Sequence, residues 1–599
     1  MSERKDQVDV EPVLRLLDRH WRSVTVLAWL LLCAWFVYNR WHQIYTFDLL
    51  DTDDNMRISQ VRALLHGQDW FDLRQYRLNP PFGANIHWSR LVDLPLAGLI
   101  LLLRPLVGGA DAERIAVAIA PMLPLLLLLF GLALTARRLI HPAAFVLAFI
   151  ALVSAGSTNG MFMPTRIDHH GWQLALLSIT VAGLADPKRA RGGATVGVAT
   201  ALSLSIGLEM LIYLALAGVA AVLFWVDDRD EKRRLAAYAV TLAGGTALGF
   251  LAFASYANRL AVCDALSPVW LSDALLGGAL LFGLAAFSPA DWKRRLALAV
   301  GAALFIAAFH AWMWPHCLAR LEGVSPEVDR LWLSHVREAR PVFTHGWQVA
   351  TLLVALPLTG VVGWGLLAWH NRADRGLLRR TLAAAAPALA ATLLLAWQTR
   401  TAPAAQMLGV VGAIAIVWLL APLAERARTP VLRIAATVGV ALIGLGAIVP
   451  LVMQAVPGKK QTPRDISIGK ANDQCNSMFA FKPVALQPKG MVFTFVDLGP
   501  RVITVTHHDS VAGPYHRNGQ QIADVMNAFR GSEPQAHAIL ARYHSNYLLT
   551  CPNSSTTTIF LSEAPKGFYA QLEHGHVPAW LTPVVLPAKS PFKMWRVVG

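Results

Sequence analysis

The chain has 599 residues, 55% of them hydrophobic and only 15% charged, with a net charge of +15. Soluble domains carry roughly 25% charged residues, so this composition argues against a soluble protein. Most Arg and Lys stand in short loops between apolar blocks, which is the orientation signal of a membrane protein, and the positive charge therefore does not indicate nucleic acid.

Residues 1–23 are polar and expected in the cytoplasm, and the first apolar block, Val24 to Tyr38, reads as a retained span and not a cleaved signal. Apolar blocks of about 15 to 25 residues then recur. They are long enough to cross a hydrocarbon core of about 30 Å as helices, and none shows the alternation of a β-barrel. About thirteen spans are expected, near 24–40, 113–135, 141–157, 171–186, 193–207, 209–226, 235–254, 270–287, 296–314, 348–370, 380–398, 405–424 and 430–453. The predicted fold class is a polytopic α-helical membrane protein, with its transmembrane part over 24–455. The weakest span is 193–207, which is short and rich in Gly and Ala.

The apolar stretch 91–107 is ambiguous, since it holds Asp93, Pro95, Arg104 and Pro105. If it does not span, the basic clusters at 137–138, 188–191, 229–234, 293–295, 372–380 and 426–428 all face the cytoplasm, as the positive-inside rule expects. If it spans, all six move outside. It is therefore read as a re-entrant or interfacial helix.

This topology leaves four regions on the opposite side: loops 41–112, 158–170 and 315–347, and the segment 456–599. The last is soluble in composition. Val492 to Val496, Val502 to Thr506, Tyr547 to Thr550 and Thr558 to Leu561 read as strands, and Gln520 to Phe529 and Pro534 to Tyr543 as helices, which predicts a small external α/β domain. Cys475 and Cys551 lie in it and are expected to form a disulfide in an oxidising compartment.

Four motifs on that face carry chemistry. The first loop opens with Asp48, Asp51, Asp53 and Asp54, which repel one another unless a cation or a basic group offsets them. Arg57 and Arg62 are the ordinary partners for such a cluster. Asp168 and His170, in Arg166-Ile-Asp168-His169-His170, can supply an oxygen and a nitrogen to a metal from one extended segment, or Asp168 can simply pair with Arg166. Glu338, in Ser334-His335-Val-Arg337-Glu338, is either a salt-bridged surface residue or a carboxylate reaching into the site. His87 and Arg90, in Asn85-Ile-His87-Trp88-Ser-Arg90, suit a lipid phosphate at the bilayer surface.

The ordered set resembles the catalytic subunit of oligosaccharyltransferases, within the multi-spanning glycosyltransferase superfamily called GT-C. Asp51-Thr-Asp-Asp-Asn-Met-Arg57 is similar to the opening of that family's first external loop, and Ile86-His87-Trp88 to its end. Asp168-His-His170 looks like the archaeal Asp-x-His motif, and His335-Val-Arg-Glu338 the Glu-ended motif of the fifth external loop. The similarity runs over about 40–345, and the expected spans extend it to about 455. It implies thirteen spans and an inverting transfer from a polyprenyl-(pyro)phosphate-linked sugar donor to a glycan, lipid or protein acceptor. The reaction would take place on the outer face of a bacterial-type inner membrane. It also implies a divalent cation, Mg²⁺ or Mn²⁺, on Asp51, Asp168 and His170. Asp51 is preferred to Asp53 and Asp54 for its spacing to Arg57. The catalytic carboxylates would come from Asp51, Asp54 and Glu338, and His87 and Arg90 would hold the donor phosphate.

One departure stands out. The family's Trp-Trp-Asp motif is absent from the C-terminal region, where Phe495-Val-Asp497-Leu-Gly499-Pro500 occupies the comparable place. Asp497, Tyr515, His516 and Arg517 are the candidates for an acceptor or donor surface there, against the plainer reading of a strand ending in a turn. The competing reading of the whole chain is a transporter or flippase of lipid-linked glycans, which buried charges within spans would favour.

Overall fold

The structure, a computed structural model, describes residues 11–458 and 461–598. Among these, eight helices are long and apolar enough to cross a membrane: Trp21–Asn39, Gly109–Leu139, Arg229–Phe253, Pro268–Phe287, Trp292–Met313, Trp347–Ala373, Arg375–Leu394 and Thr399–Ala424. Pro430–Gly444 and Ile448–Ala455 make a ninth only if joined, and they meet at a 94° bend.

Fewer helices qualify than the thirteen expected, for local reasons. The segment 141–157 yields Phe145–Val153, only 9 residues, followed by the short helix Gly156–Gly160. Leu211–Asp227 is apolar but has 17 residues, and His170–Leu184 has 15. Arg189–Ile206 is long enough but poor in large apolar side chains, because it packs backbone to backbone. A Cβ on Gly193 would stand 2.0 Å from the carbonyl oxygen of Arg234, so only glycine permits this approach to helix Lys232–Phe253.

Residues 91–107 form the helix Arg90–Val107, started by Ser89, whose hydroxyl accepts the Leu91 N–H at 3.3 Å. Its first turns are buried and its C-terminal end is exposed: Leu106 is 76% accessible. The helix thus has one anchored and one free end.

Beyond residue 461 lie five strands, β1 (Met491–Phe493), β2 (Asp509–Ser510), β3 (Tyr547–Thr550), β4 (Leu581–Pro583) and β5 (Lys593–Val597). They form one sheet in the order β2-β1-β3-β5-β4. The pairs β1–β2 and β1–β3 are parallel, and β5 runs antiparallel to both its neighbours. Helices Gly519–Arg530 and Glu533–Arg542 stand where expected.

Two expected strands are helices instead. Val502 to Thr506 falls largely within Gly499–Val505, because Gly499-Pro500 begins a helix whose buried Val502, Ile503 and Thr504 pack inward. Thr558 to Leu561 lies within Ser555–Glu563, where Thr557 and Phe560, one helical turn apart, are buried. Tertiary packing there overrides the β-propensity of the threonines.

Cys475 and Cys551 are joined at 2.04 Å. A second disulfide, Cys263–Cys317, ties together two loops of the helical part and was not anticipated.

The C-terminal sheet region is fastened to the first long loop. Helix Gly499–Val505 lies against helix Thr52–Leu65, and Arg501 reaches Asp48 at 3.1 Å and Asn55 Oδ1 at 3.0 Å. In return Arg62 donates to the Thr504 carbonyl at 2.6 Å. Arg77 donates to the carbonyl oxygens of Ile503, Thr506 and His508. These bonds hold the region directly above the start of helix Thr52–Leu65, where the acidic motif begins.

Candidate active site

The acidic motif becomes a helix start. Asp51 is the N-cap of Thr52–Leu65 and accepts the Thr52 N–H at 2.6 Å, which puts Asp53 and Asp54 in the first turn. Carboxylates are favoured there by the helix dipole. The turn faces the loop at 158–170. Asp54 is fully buried and accepts the N–H groups of Ile167 at 2.7 Å and Asp168 at 3.0 Å, locking the two loops together. Arg166 sits between them, with Nη1 2.7 Å from Asp51 Oδ2 and 3.4 Å from Asp54 Oδ2, and Nη2 2.7 Å from Asp168 Oδ2.

Arg166 is thus one guanidinium among four neighbouring carboxylates, Asp51, Asp53, Asp54 and Asp168. Ligand atoms of Asp53, Asp168 and His170 all lie within 4.8 Å of one another, a spacing a single ion can bridge. Asp168 Oδ1 accepts the His170 N–H at 3.0 Å, while Oδ2, close to Arg166, makes no aligned hydrogen bond and keeps a lone pair. Burial, then the charges of Asp51 and Asp168, raises Asp53 well above the carboxylate range. Asp168 is buried too, but Arg166 and His170 hold it at about 2. Burial lowers the pKa of His170, which favours the neutral imidazole that ligates metals. Burial and the Asp168 and Asp51 carboxylates also push Asp54 up to about 8, against Arg166 and the Ile167 N–H. A buried group of carboxylates short of positive charge, with a free lone pair and a neutral imidazole, fits a divalent cation.

The expected residues divide. Asp168 and His170 meet, but the first-loop carboxylate grouped with them is Asp53. Asp51 is 45% exposed beside them, paired with Arg166. Asp54 is spent on the backbone of the second loop. Glu338 lies in a different neighbourhood, 60% exposed and 3.8 Å from Arg400.

Arg90, expected at a lipid phosphate, is 1% exposed and committed to the scaffold. It binds Asp93 at 3.1 Å and the carbonyl oxygens of Asp72, Gln60 and Trp70. Asp93 also receives Arg57 at 2.8 Å, so two arginines share one buried carboxylate. Arg57 lies over the Trp88 ring at 4.4 Å, with Nη2 3.4 Å from His169 Nδ1. A guanidinium only donates, so His169 Nδ1 accepts, and its Nε2–H points at Glu209 Oε1, 2.8 Å away. Glu209 also takes Gln173 at 2.8 Å. Burial opposes its ionisation, but His169 and His170 hold it below the usual range.

A second constellation adjoins the first along a row of rings. His170 to His169 is 4.5 Å between centroids, His169 to Trp88 5.7 Å, Trp88 to His87 6.3 Å, and His87 to His516 4.6 Å. At its end Asp264 binds His516 Nε2 at 2.6 Å and takes two bonds from Arg517, at 2.7 and 2.6 Å. Burial works against the Asp264 charge, yet these two partners drive its pKa far below normal. The Nδ1 atom of His87 is buried without a hydrogen-bond partner. His516 and Arg517 therefore belong to an interface between the C-terminal region and the helical part, and not to a separate surface. Tyr515 edges against Trp88 at 5.6 Å and donates to the Thr52 carbonyl at 3.1 Å. Asp497 is exposed at the rim of the same cleft, within range of the Asp51 charge.

Sequence reasoning missed Asp264 and Glu209. Both lie in short turns between helices with no motif around them. Asp264 sits next to Cys263, which is disulfide-bonded to Cys317.

No protein-family model matches the chain, and no curated protein matches it. Solved structures do. The archaeal oligosaccharyltransferase AglB from Archaeoglobus fulgidus, in complex with an inhibitory peptide and a dolichol-phosphate, superimposes with a TM-score of 0.67 at 15% identity, covering 95% of this chain and 73% of that one. The same enzyme in complex with Zn and sulfate gives 0.61 at 14% identity, over 95% and 72%. With an acceptor peptide containing the NVT sequon tethered to it, it gives 0.64 at 15%, over 93% and 72%. The expected GT-C resemblance therefore holds at the level of fold.

Proposed function

We propose that the chain is a membrane glycosyltransferase that moves a sugar or oligosaccharide from a polyprenyl-(pyro)phosphate donor to an acceptor on the non-cytoplasmic face. The observation that carries this reading is the meeting of Asp53, Asp168 and His170. They come from loops more than a hundred residues apart, within a fold shared with a solved oligosaccharyltransferase. That relative was solved with dolichol-phosphate and, separately, with Zn and sulfate, which supports a lipid-linked donor and a cation here.

In this reading Asp53, Asp168 and His170 hold a divalent cation, Mg²⁺ or Mn²⁺. When bound, it supplies positive charge against the leaving phosphate. His87, with Arg517 and His516 beside it further along the row of rings, is assigned to a part of the donor away from the leaving phosphate. The acceptor nucleophile attacks the anomeric carbon as the bond to the phosphate oxygen breaks. Its proton goes to a carboxylate of the cleft, and Asp497, close to Asp51 and open to solvent, is assigned that role, with Asp51 orienting the acceptor. Arg166 fixes Asp51 and Asp168 against each other. His169, held between Arg57 and Glu209, keeps the second loop in register. Glu338 takes no part in these contacts. The thirteen-span topology, with the basic clusters inside and residues beyond 456 outside, completes the reading. Transfer assayed with a lipid-linked donor extract, in the presence and absence of chelator, tests it.

A further inference from the structure

At the other end of the bundle lies a cavity of about 450 Å³, open on one side and walled by five arginines: Arg189, Arg233, Arg234, Arg379 and Arg380. Helix His170–Leu184 runs from the acidic site toward it and ends shortly before the lining Pro187. At 1.5 Å per residue its 15 residues set the two sites roughly 20 Å apart.

Three features suit the cavity to an amphiphilic anion. One carboxylate, Glu231, lines it. Acidic partners reach three of the arginines: Asp228 binds Arg189 at 3.0 Å, Glu231 binds Arg234 at 2.7 Å, and Asp227 binds Arg379 at 2.8 Å. Arg380 instead donates to the carbonyl oxygens of Gly376 and Ala185, each at 3.2 Å, and Arg233 is exposed and makes no ion pair among the described residues. Two of the five guanidinium groups therefore have no carboxylate in an ion pair with them among the described residues.

Three helices, Arg189–Ile206, Lys232–Phe253 and Arg375–Leu394, also begin at this cavity, and their N-terminal dipoles add to the positive field. Finally, the wall is partly apolar, with Phe224 under Arg234 at 4.9 Å. The adjoining outer surface is apolar too: Leu223 and Leu382, beside lining residues on their helices, are 52% and 53% exposed.

We propose that this cavity is a binding site for a phosphate-bearing anion, filled by the headgroup of an anionic phospholipid at the membrane surface opposite the acidic site. The proposal does not depend on the transfer reaction. Basic pockets between helix ends at the cytoplasmic surface suit such headgroups, and the exposed leucines place acyl chains beside the cavity.

The test uses the full chain in a neutral detergent and follows thermal unfolding with three probes: cardiolipin, phosphatidylcholine and inorganic pyrophosphate. Arg233→Glu alters the cavity at an exposed position with no partner to lose, so its unfolding temperature without lipid should equal that of the wild type. Arg294→Glu reverses another exposed arginine, outside the cavity, as a control for general surface charge. Cardiolipin should raise the unfolding temperature of the wild type and of Arg294→Glu and should bind Arg233→Glu at least about fivefold more weakly. Phosphatidylcholine should have no such effect. Stabilisation by pyrophosphate, lost in Arg233→Glu, in place of stabilisation by cardiolipin would keep the site and assign it to a soluble phosphate. Equal weakening in both variants, or no stabilisation of the wild type by either anion, would overturn the proposal.

Discussion

Arg166 holds Asp51 by Nη1 and Asp168 by Nη2, each at 2.7 Å, so two carboxylates from different loops share one guanidinium. Asp53 is the first-loop carboxylate left over to join Asp168 and His170. This division of labour predicts unequal effects. Asp53→Asn removes a ligand and should abolish cation-dependent transfer. Asp51→Asn removes a neighbour and should weaken the cation by about 10–100-fold, with activity restored at high Mn²⁺. Titration of Mn²⁺ against transfer rate for the two variants checks this. Equal recovery of both at high Mn²⁺ would return Asp51 to the role that its spacing suggested.

Without a cation, Asp53 carries a raised pKa because it is buried beside Asp51 and Asp168. A carboxyl group with a higher pKa in the folded state binds more protons folded than unfolded. Its contribution to stability therefore falls as pH rises above the unfolded value near 3.9. Chelated protein should unfold at progressively lower temperature as pH rises from about 5 toward 8, and added Mg²⁺ or Mn²⁺ should flatten the trend. The trend should weaken in Asp53→Asn, the remainder coming from Asp54, whose carboxyl is also raised, to about 8. Thermal unfolding at several pH values with and without chelator measures it.

The Asp264 contact with His516 and Arg517 is 9% exposed on the carboxylate side and joins a turn of the helical part to the C-terminal region. Removing one partner of such a pair leaves buried charge unpaired and costs about 3–5 kcal/mol. Asp264→Asn should lower thermal stability accordingly and raise protease sensitivity between the two parts. Equal stability and an unchanged cleavage pattern would show that the contact carries no load.

Arg90 offers a contrast between scaffold and site. Its guanidinium is 1% exposed and bound to Asp93 and three carbonyl groups, with no donor pointing outward. Arg90→Ala should reduce the yield of folded protein, while the folded fraction keeps its apparent affinity for the donor. His87→Ala should do the reverse, since His87 Nδ1 has no partner to lose. Donor titrations on detergent-purified variants separate the two.

Much of this arrangement is legible in the sequence. Hydrophobic blocks and basic loops announce the helical bundle, and a helix occupies each of the thirteen expected segments even where it is too short or too polar to count alone. Asp168 and His170 could be named because a metal needs an oxygen and a nitrogen at that spacing. What the sequence leaves open is which side of a helix start faces a loop far away. Asp51, Asp53 and Asp54 are chemically alike, and only the helix geometry sends Asp51 to the cap, Asp54 inward and Asp53 to the site. Glu338 resembled a site residue by motif, yet the loop carrying it packs near Arg400. Thr558 and Val502 lie in helices and not in strands because burial on one helical face outweighs local β-preference.

In the function proposed above, Asp53, Asp168 and His170 hold a cation needed for transfer from a lipid-linked donor. The most direct measurement is transfer by purified protein in liposomes loaded with a polyprenyl-linked sugar extract, first chelated, then given Mn²⁺, alongside Asp168→Ala in identical conditions. Chelation should stop wild-type transfer and Mn²⁺ should restore it, while Asp168→Ala, folded and inserted like the wild type, stays inactive throughout. Undiminished transfer by the chelated wild type, or by Asp168→Ala, would contradict the account.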